Sequence, residues 1–240
     1  MVAYDGTGFH GFAPQHDVRT VGGAMIKALE KILRHPVELT CAGRTDAGVH
    51  AWGQVVSLEA DPGVDAWRLQ KSLNGILAPE IVIRSAELVA PGFDARRSAM
   101  WRSYRYTLVN RPVPDPFLAR YAWWVPGSLE LVAMRAAADA FVGEHDFAAF
   151  CRAGPEGTTT VRRVLDSRWL DEGDGLLRYE IRAHAFCWQM VRSIVGTLVD
   201  VGTGSRRAGE VMGMLRSKDR AAAGKLAPAQ GLCLWEVGYP

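Results

Sequence analysis

The sequence predicts an α+β protein made of two ferredoxin-like (RNP-like) α/β-sandwich domains, with mainly antiparallel sheets side by side and a central cleft. Three observations predict it. Apolar residues recur with a period of two in some segments and of about 3.6 in others. The order strand, helix, strand, strand, helix, strand runs through each half, with extra elements in the second. The pattern also begins afresh after Pro91-Gly92, which places residues 1–95 in one domain and 96–240 in the other. A cleft between two such sheets is a natural place for a large ligand.

Residues 1–6 predict a short strand ending in a turn. Ala24, Met25, Ala28, Leu29 and Ile32 fall at helical spacing, predicting a helix over 21–33 that Pro36 ends. Residues 37–42 and 54–58 predict two strands joined by a loop containing Gly43, Gly48 and Gly53, followed by a helix over 66–77 and a strand over 81–89. In the second half, Tyr104, Tyr106, Leu108 and Val109 predict a strand, broken by Pro112 and Pro114. A helix is expected over 129–141 and an antiparallel pair over 161–170 and 176–185, joined across residues 171–175. Helical stripes at Met190, Val191, Ile194, Val195 and Leu198, and over 208–215, precede a closing strand over 232–237.

Composition narrows the class. A chain that is 48% hydrophobic and 22% charged reads as an ordinary soluble globular protein. No apolar run reaches the roughly 18 residues that span a bilayer, and the first residues lack the basic-then-apolar order of a secretory signal. A cytoplasmic protein with no membrane partner is expected. The cysteines Cys41, Cys151, Cys187 and Cys233 are far apart and lie in apolar stretches, so they predict buried free thiols rather than metal ligands. The histidines form no ligand cluster, and no metal site or cofactor is expected. Net charge is only +2, but 23 of the 28 basic residues are Arg. Arg forks suit phosphate, whereas codon bias in an Ala- and Gly-rich chain is the other explanation.

The densest polar cluster is Ala42-Gly43-Arg44-Thr45-Asp46-Ala47-Gly48-Val49-His50-Ala51. Its glycines permit a tight turn and close approach to a ligand, and flanking strands hold a side chain better than a free loop tip does. Arg44, two residues from Asp46, favours the charged carboxylate. Such a turn is equally common as plain structure, with Asp and Gly as turn residues.

Residues 43–51 also resemble the signature loop of the TruA family of tRNA pseudouridine synthases. Further segments are similar in the same order: Ala3-Tyr4-Asp5-Gly6-Thr7-Gly8-Phe9-His10-Gly11-Phe12, Phe93-Asp94-Ala95-Arg96 with Ser103-Tyr104-Arg105-Tyr106, Gly143-Glu144-His145-Asp146-Phe147, Met190-Val191-Arg192-Ser193-Ile194-Val195-Gly196 and Gly231-Leu232-Cys233-Leu234. Phe12 stands where the family usually has Trp, and Trp188 where His is common. The resemblance implies the pseudouridine synthase fold, a homodimer, and isomerisation of uridines at positions 38, 39 and 40 in the tRNA anticodon stem-loop. It implies that Asp46 is the nucleophile, that Tyr104 stacks on the flipped uracil, that Arg192 pairs with Asp46, and that Arg44 displaces or holds the flipped nucleotide. Each has an ordinary alternative: Tyr104 as a half-buried strand residue, and Arg192 as a solvated flank of its helix. Arg96, Arg97, Arg102 and Arg105 are candidates for phosphate contacts or for a solvated sheet face. His50 and His145 show no partner in the sequence and are read as structural.

Overall fold

The computed structural model describes residues 1–154 and 157–240. In chain order the elements are β1 (Val2–Tyr4), α1 (Val21–Leu33), β2 (Thr40–Cys41), β3 (His50–Gln54), β4 (Val56–Ser57), α2 (Ala66–Leu77) and β5 (Ile81–Ile83). There follow β6 (Trp101–Val109), β7 (Trp123–Trp124), α3 (Leu131–Asp139), β8 (Gly143–Asp146), β9 (Val161–Asp171), β10 (Leu176–Ala183), α4 (Met190–Gly202), α5 (Val211–Ser217) and β11 (Leu232–Gly238). The protein is α+β with mainly antiparallel pairing. It divides into two compact units, residues 1–102 with 233–240, and residues 103–232. The closing strand, grouped by sequence with the second half, therefore belongs to the first unit.

In unit 1 the strands run β5-β1-β3-β11. β1 pairs antiparallel with both β3 and β5, while β11 lies parallel to β3 with Cys233 opposite His50. Met25, Ala28 and Leu29 of α1 and Leu73 of α2 are buried with Val2, Tyr4, Ile81 and Ile83 of the sheet. Burial of one such aliphatic side chain contributes roughly 1.5–3 kcal/mol. Thr20 caps α1 by accepting from the Gly23 N–H, and Asp65 caps α2 by accepting from Trp67 and Arg68. Asn74 of α2 binds both backbone groups of Ile83, which ties helix to edge strand. Expected strand 54–58 is divided: Gln54 closes β3, where a Cβ on Gly53 would overlap the Trp235 carbonyl of β11, and Val56–Ser57 form β4. Expected strand 37–42 shortens to β2, which pairs with β4 in a separate two-stranded ribbon.

In unit 2 the order is β6-β10-β9-β8, with β7 parallel to β6. The β9–β10 hairpin forms where periodicity predicts it. Helix α4 is buried nearly all round, small residues included, and a Cβ on Gly196 would overlap the Lys225 carbonyl. Expected helix 208–215 starts as a 3-10 turn over Ala208–Glu210 before α5. Strand β8 was not expected from sequence. Two of the four cysteines also differ from expectation: Cys151 and Cys187, Cα atoms 5.8 Å apart, are joined, whereas Cys41, buried, and Cys233, half-buried, are in no disulfide. No helix among the described residues is long and apolar enough to cross a membrane.

Candidate active site

Asp46 sits in the loop between β2 and β3, and backbone groups at both ends of that loop and at Thr45 and Asp46 have partners in unit 1. The Ala42 N–H donates to the Val55 carbonyl, the Gly48 N–H to Phe9, and the Phe12 N–H to the Thr45 carbonyl, at 2.8, 3.2 and 3.0 Å. The Val49 N–H closes a turn onto the Asp46 carbonyl at 3.1 Å. The segment after β1 packs against this loop. A Cβ on Gly6 would overlap the Val49 carbonyl. Gly11, at φ 89°, lies so near Thr45 that a Cβ would come within 2.8 Å of its carbonyl. Exposure alternates along the loop: Arg44 is exposed, Thr45 buried and Asp46 half-buried. A carboxylate on a half-buried, backbone-anchored turn is held in place yet open to a reactant.

His50, read from sequence as having no partner, has one. The Gly6 N–H donates to His50 Nδ1 at 3.0 Å, and Asp5 Oδ1 lies 3.2 Å from the same nitrogen. This ties the end of the loop to the turn after β1. His145 is likewise within 3.0 Å of the Val142 carbonyl through Nε2. Arg102, a candidate for phosphate, is buried instead. Its guanidinium donates to the Ala42 carbonyl through Nε and Nη2, to Ala99 through Nη1 and to Arg96 through Nη2. Those bonds use four of its five N–H donors, so Arg102 holds the entrance of the Asp46 loop rather than an external anion. Arg96 and Arg97 are exposed. Their amides bind Asp94 Oδ1, and these hydrogen bonds, that from Arg97 first, hold the Asp94 carboxyl below its usual range. Burial pushes the Cys41 thiol up and keeps it protonated.

In unit 2, Tyr104 and Tyr106 lie on one face of β6 and Arg105 on the other. Tyr104 is buried, its ring edge-on to Phe186 at 5.0 Å between centroids. Tyr106 is wholly buried, donating to the Pro228 carbonyl at 2.9 Å. Burial pushes its phenol far up, with Arg192 opposing the rise. Arg192 is half-buried on α4, where its Nε donates to the Ala227 carbonyl at 2.8 Å. Its backbone carbonyl in turn accepts from the Ala227 N–H at 3.1 Å. Arg192 is thus seated against a fixed loop rather than solvated on its helix flank. Arg105 pairs with Glu180 at 2.8 Å, and Glu180 with Arg168 at 2.8 Å. Burial raises the Glu180 carboxyl, but the two guanidiniums outweigh it and hold it low. A recess of about 610 Å³ in unit 2 is lined by Arg152, Thr158, Thr160, Gln189 and Arg220 rather than by Tyr104 or Arg192. At its rim the Arg152 guanidinium lies over the Trp188 ring at 4.1 Å. Among the described residues no group of three or more His, Cys, Asp or Glu could hold a metal ion.

Sequence reading missed what lies behind the loop. Gln54 is wholly buried at the end of β3, where its amide binds both backbone groups of Gly43. Tyr4 of β1, 5% exposed, reaches Thr45. The available signal was polar: a Gln in a strand otherwise read as apolar.

By sequence the chain is similar to a defined class of RNA-modifying proteins. The family model described as tRNA pseudouridine synthase matches residues 137–240. The tRNA pseudouridine synthase A of Leifsonia xyli is 41% identical, over all of this chain and 90% of its own length. Those of Methylobacterium nodulans and Brevibacillus brevis are 44% and 43% identical, over all of this chain and 94% and 98% of theirs. This chain belongs to the tRNA pseudouridine synthase A family. Among solved structures, a Cbf5-Nop10-Gar1 complex is similar at 12% identity and a TM-score of 0.35, over 84% of this chain and 54% of that one.

Proposed function

We propose that this protein isomerises uridine to pseudouridine at positions 38, 39 and 40 of the tRNA anticodon stem-loop, with Asp46 as nucleophile. The observation that carries the assignment is the Asp46 loop, a half-buried carboxylate on a turn braced by Phe9, Phe12 and Val55. Full-length likeness to tRNA pseudouridine synthases A supports the substrate.

The reaction breaks the bond between C1′ and N1, rotates the base, and forms a bond between C1′ and C5. The proton on C5 leaves, and N1 gains one. Nothing is oxidised or reduced, and water is not consumed. A nucleophile splits this exchange into two easier steps through a covalent adduct. Asp46 supplies it. The target base leaves its stack at a cost of a few kcal/mol, which stacking on an aromatic ring, worth roughly 1–3 kcal/mol, offsets. Tyr104 supplies that ring and a hydroxyl for the C5 proton. The reading requires Asp46 and Arg44 of unit 1 and Tyr104 and Arg192 of unit 2 to meet one nucleotide, in the cleft of paired ferredoxin-like domains expected from sequence. Arg192 holds the carboxylate charged, and Arg44 holds the extruded nucleotide. A cytoplasmic homodimer with one tRNA bridging its protomers completes the proposal.

Release of tritium from C5-labelled tRNA tests it. Asp46→Asn is expected to lower turnover at least about a thousandfold while tRNA affinity and thermal midpoint stay near those of the parent. Substantial turnover by this variant overturns the nucleophile assignment. Tyr104→Phe keeps the stacking face and loses the hydroxyl, so unchanged turnover removes Tyr104 from proton transfer and leaves it stacking.

A further inference from the structure

Behind the Asp46 loop runs a buried chain of side-chain hydrogen bonds that the reaction, as written, does not use. Gln54 Oε1 accepts from the Gly43 N–H at 3.3 Å, and Nε2 donates to the Gly43 carbonyl at 2.6 Å. The other Nε2 proton goes to the Tyr4 hydroxyl at 3.4 Å. Tyr4 Oη and Thr45 Oγ1 lie 2.8 Å apart. The phenol accepts from Gln54 and shares a hydrogen bond with the Thr45 hydroxyl, in which either oxygen can donate. Gln54 is 0% exposed, Tyr4 5% and Thr45 7%.

Burying such groups is unfavourable unless every one is satisfied. Apolar side chains of the same volume would fill the space without that cost. What an apolar filling cannot do is fix a direction. The bonds converge on the residue immediately before Asp46 and on the glycine three before it. Thr45 is held by its hydroxyl through Tyr4 and by its carbonyl through Phe12. The turn closed by Val49 onto the Asp46 carbonyl then holds the other side of Asp46. Its backbone is held on both sides, which fixes the Cα–Cβ direction from which the carboxylate is carried.

We propose that Tyr4 and Gln54 are positioning residues for the reaction, acting through Thr45 and Gly43 to aim the Asp46 carboxylate at the target nucleotide. The proposal rests on Asp46 being the nucleophile. Neither residue touches substrate. A displacement of about 1 Å at a reacting group costs on the order of a hundredfold in rate. The loss therefore appears in kcat and not in tRNA binding.

The test measures kcat and KM by tritium release from C5-labelled tRNA, with thermal midpoints alongside. Tyr4→Phe and the near-isosteric Thr45→Val are each expected to lower kcat about 10- to 100-fold, with KM within about twofold of the parent. Thr45→Ser keeps the hydroxyl and is expected to retain kcat within about threefold. Tyr4→Phe deletes the bonds to Thr45 and from Gln54, and Thr45→Val only the first of these, so the double variant loses no more than Tyr4→Phe alone. Tyr179→Phe is the control. It removes a buried hydroxyl 2.7 Å from Ser167 in unit 2, and is expected to lower the midpoint comparably at unchanged kcat. Parent-like kcat in Tyr4→Phe, multiplicative losses in the double variant, or an equal kcat loss in Tyr179→Phe overturns the proposal. If Tyr4→Phe does not fold, Thr45→Ser against Thr45→Val decides alone. Turnover by Asp46→Asn defeats the underlying reading, whereas a dead Asp46→Asn beside fully active Tyr4→Phe and Thr45→Val defeats only this one.

Discussion

Two turns of this protein are alike in composition and built in opposite ways. Gly43-Arg44-Thr45-Asp46-Ala47-Gly48 and Asp171-Glu172-Gly173-Asp174-Gly175 are both glycine-flanked, acid-bearing connections between strands. The β9–β10 turn bonds to itself and to one outside segment, where the Asn110 N–H donates to the Gly175 carbonyl at 2.7 Å and the Arg111 guanidinium to Asp174. The Gly173 N–H donates to Asp171 Oδ1, the Leu176 N–H to the Gly173 carbonyl and the Glu172 N–H to the Leu176 carbonyl, each at 2.9 Å. These are the local bonds of an ordinary polar turn. The Asp46 loop instead sends its bonds to Phe9, Phe12, Gln54 and Val55, and takes in Arg102. Where a segment's backbone groups find partners, not what it is made of, separates a braced site from a simple reversal.

The sharpest way to break that comparison is a methyl group. Gly11 and Gly173 share a left-handed backbone, at φ 89° and 85°. Alanine at Gly173 meets nothing within 4 Å, so only the backbone term of about 1 kcal/mol applies. Alanine at Gly11 adds an approach of 2.8 Å to the Thr45 carbonyl, itself bound to Phe12. Gly11→Ala is expected to cost roughly 3 kcal/mol and to depress turnover, while Gly173→Ala leaves turnover alone. Urea unfolding and tritium release measure the two, and equal costs defeat the contrast.

Arginine gives the next largest effect. Arg102 is buried on three backbone carbonyls, whereas Arg111 grips the hairpin through Asp174, whose side chain is 90% exposed. Arg102→Met strands those carbonyls and is expected to cost about 2–3 kcal/mol. Asp174→Ala, which removes the exposed pair, is expected to cost under about 1 kcal/mol. Chemical denaturation of the two variants ranks them, and the reverse order removes Arg102 from the bracing.

How much of this was legible in the sequence follows the range of the interactions. Helices α1 and α2 and the β9–β10 hairpin rest on local periodicity, and the structure places them where periodicity predicts. Strand β8 lacks that signal: Glu144, His145 and Asp146 are polar, as an edge strand's residues can be. The home of β11 beside β3 is a pairing between residues 233 and 50, which no local pattern encodes. The Asp46 loop was legible as a motif. Its supports, Tyr4 and Gln54, were not, because each is an ordinary strand residue until its hydrogen bonds are seen.

Acid provides the smallest and most selective test. The bonds that join Gln54, Tyr4, Thr45 and Gly43 run between amide, phenol and hydroxyl groups, which do not titrate in acid. The hairpin side does carry a titrating group: Glu180 of β10, bound by Arg168 and Arg105, with its carboxyl held low. A carboxyl with a depressed folded pKa contributes stability above its unfolded value of about 4.3, and loses it as pH falls through the folded value. Amide hydrogen exchange across β9 and β10 is therefore expected to quicken, relative to the intrinsic rate, as pH drops below about 4.3, and Glu180→Gln is expected to flatten that dependence. Over the same range, protection of the Gly43 amide is expected to hold. If Gly43 loses protection in step with the hairpin, the loop is braced by charge after all, and the contrast between the two turns is one of degree.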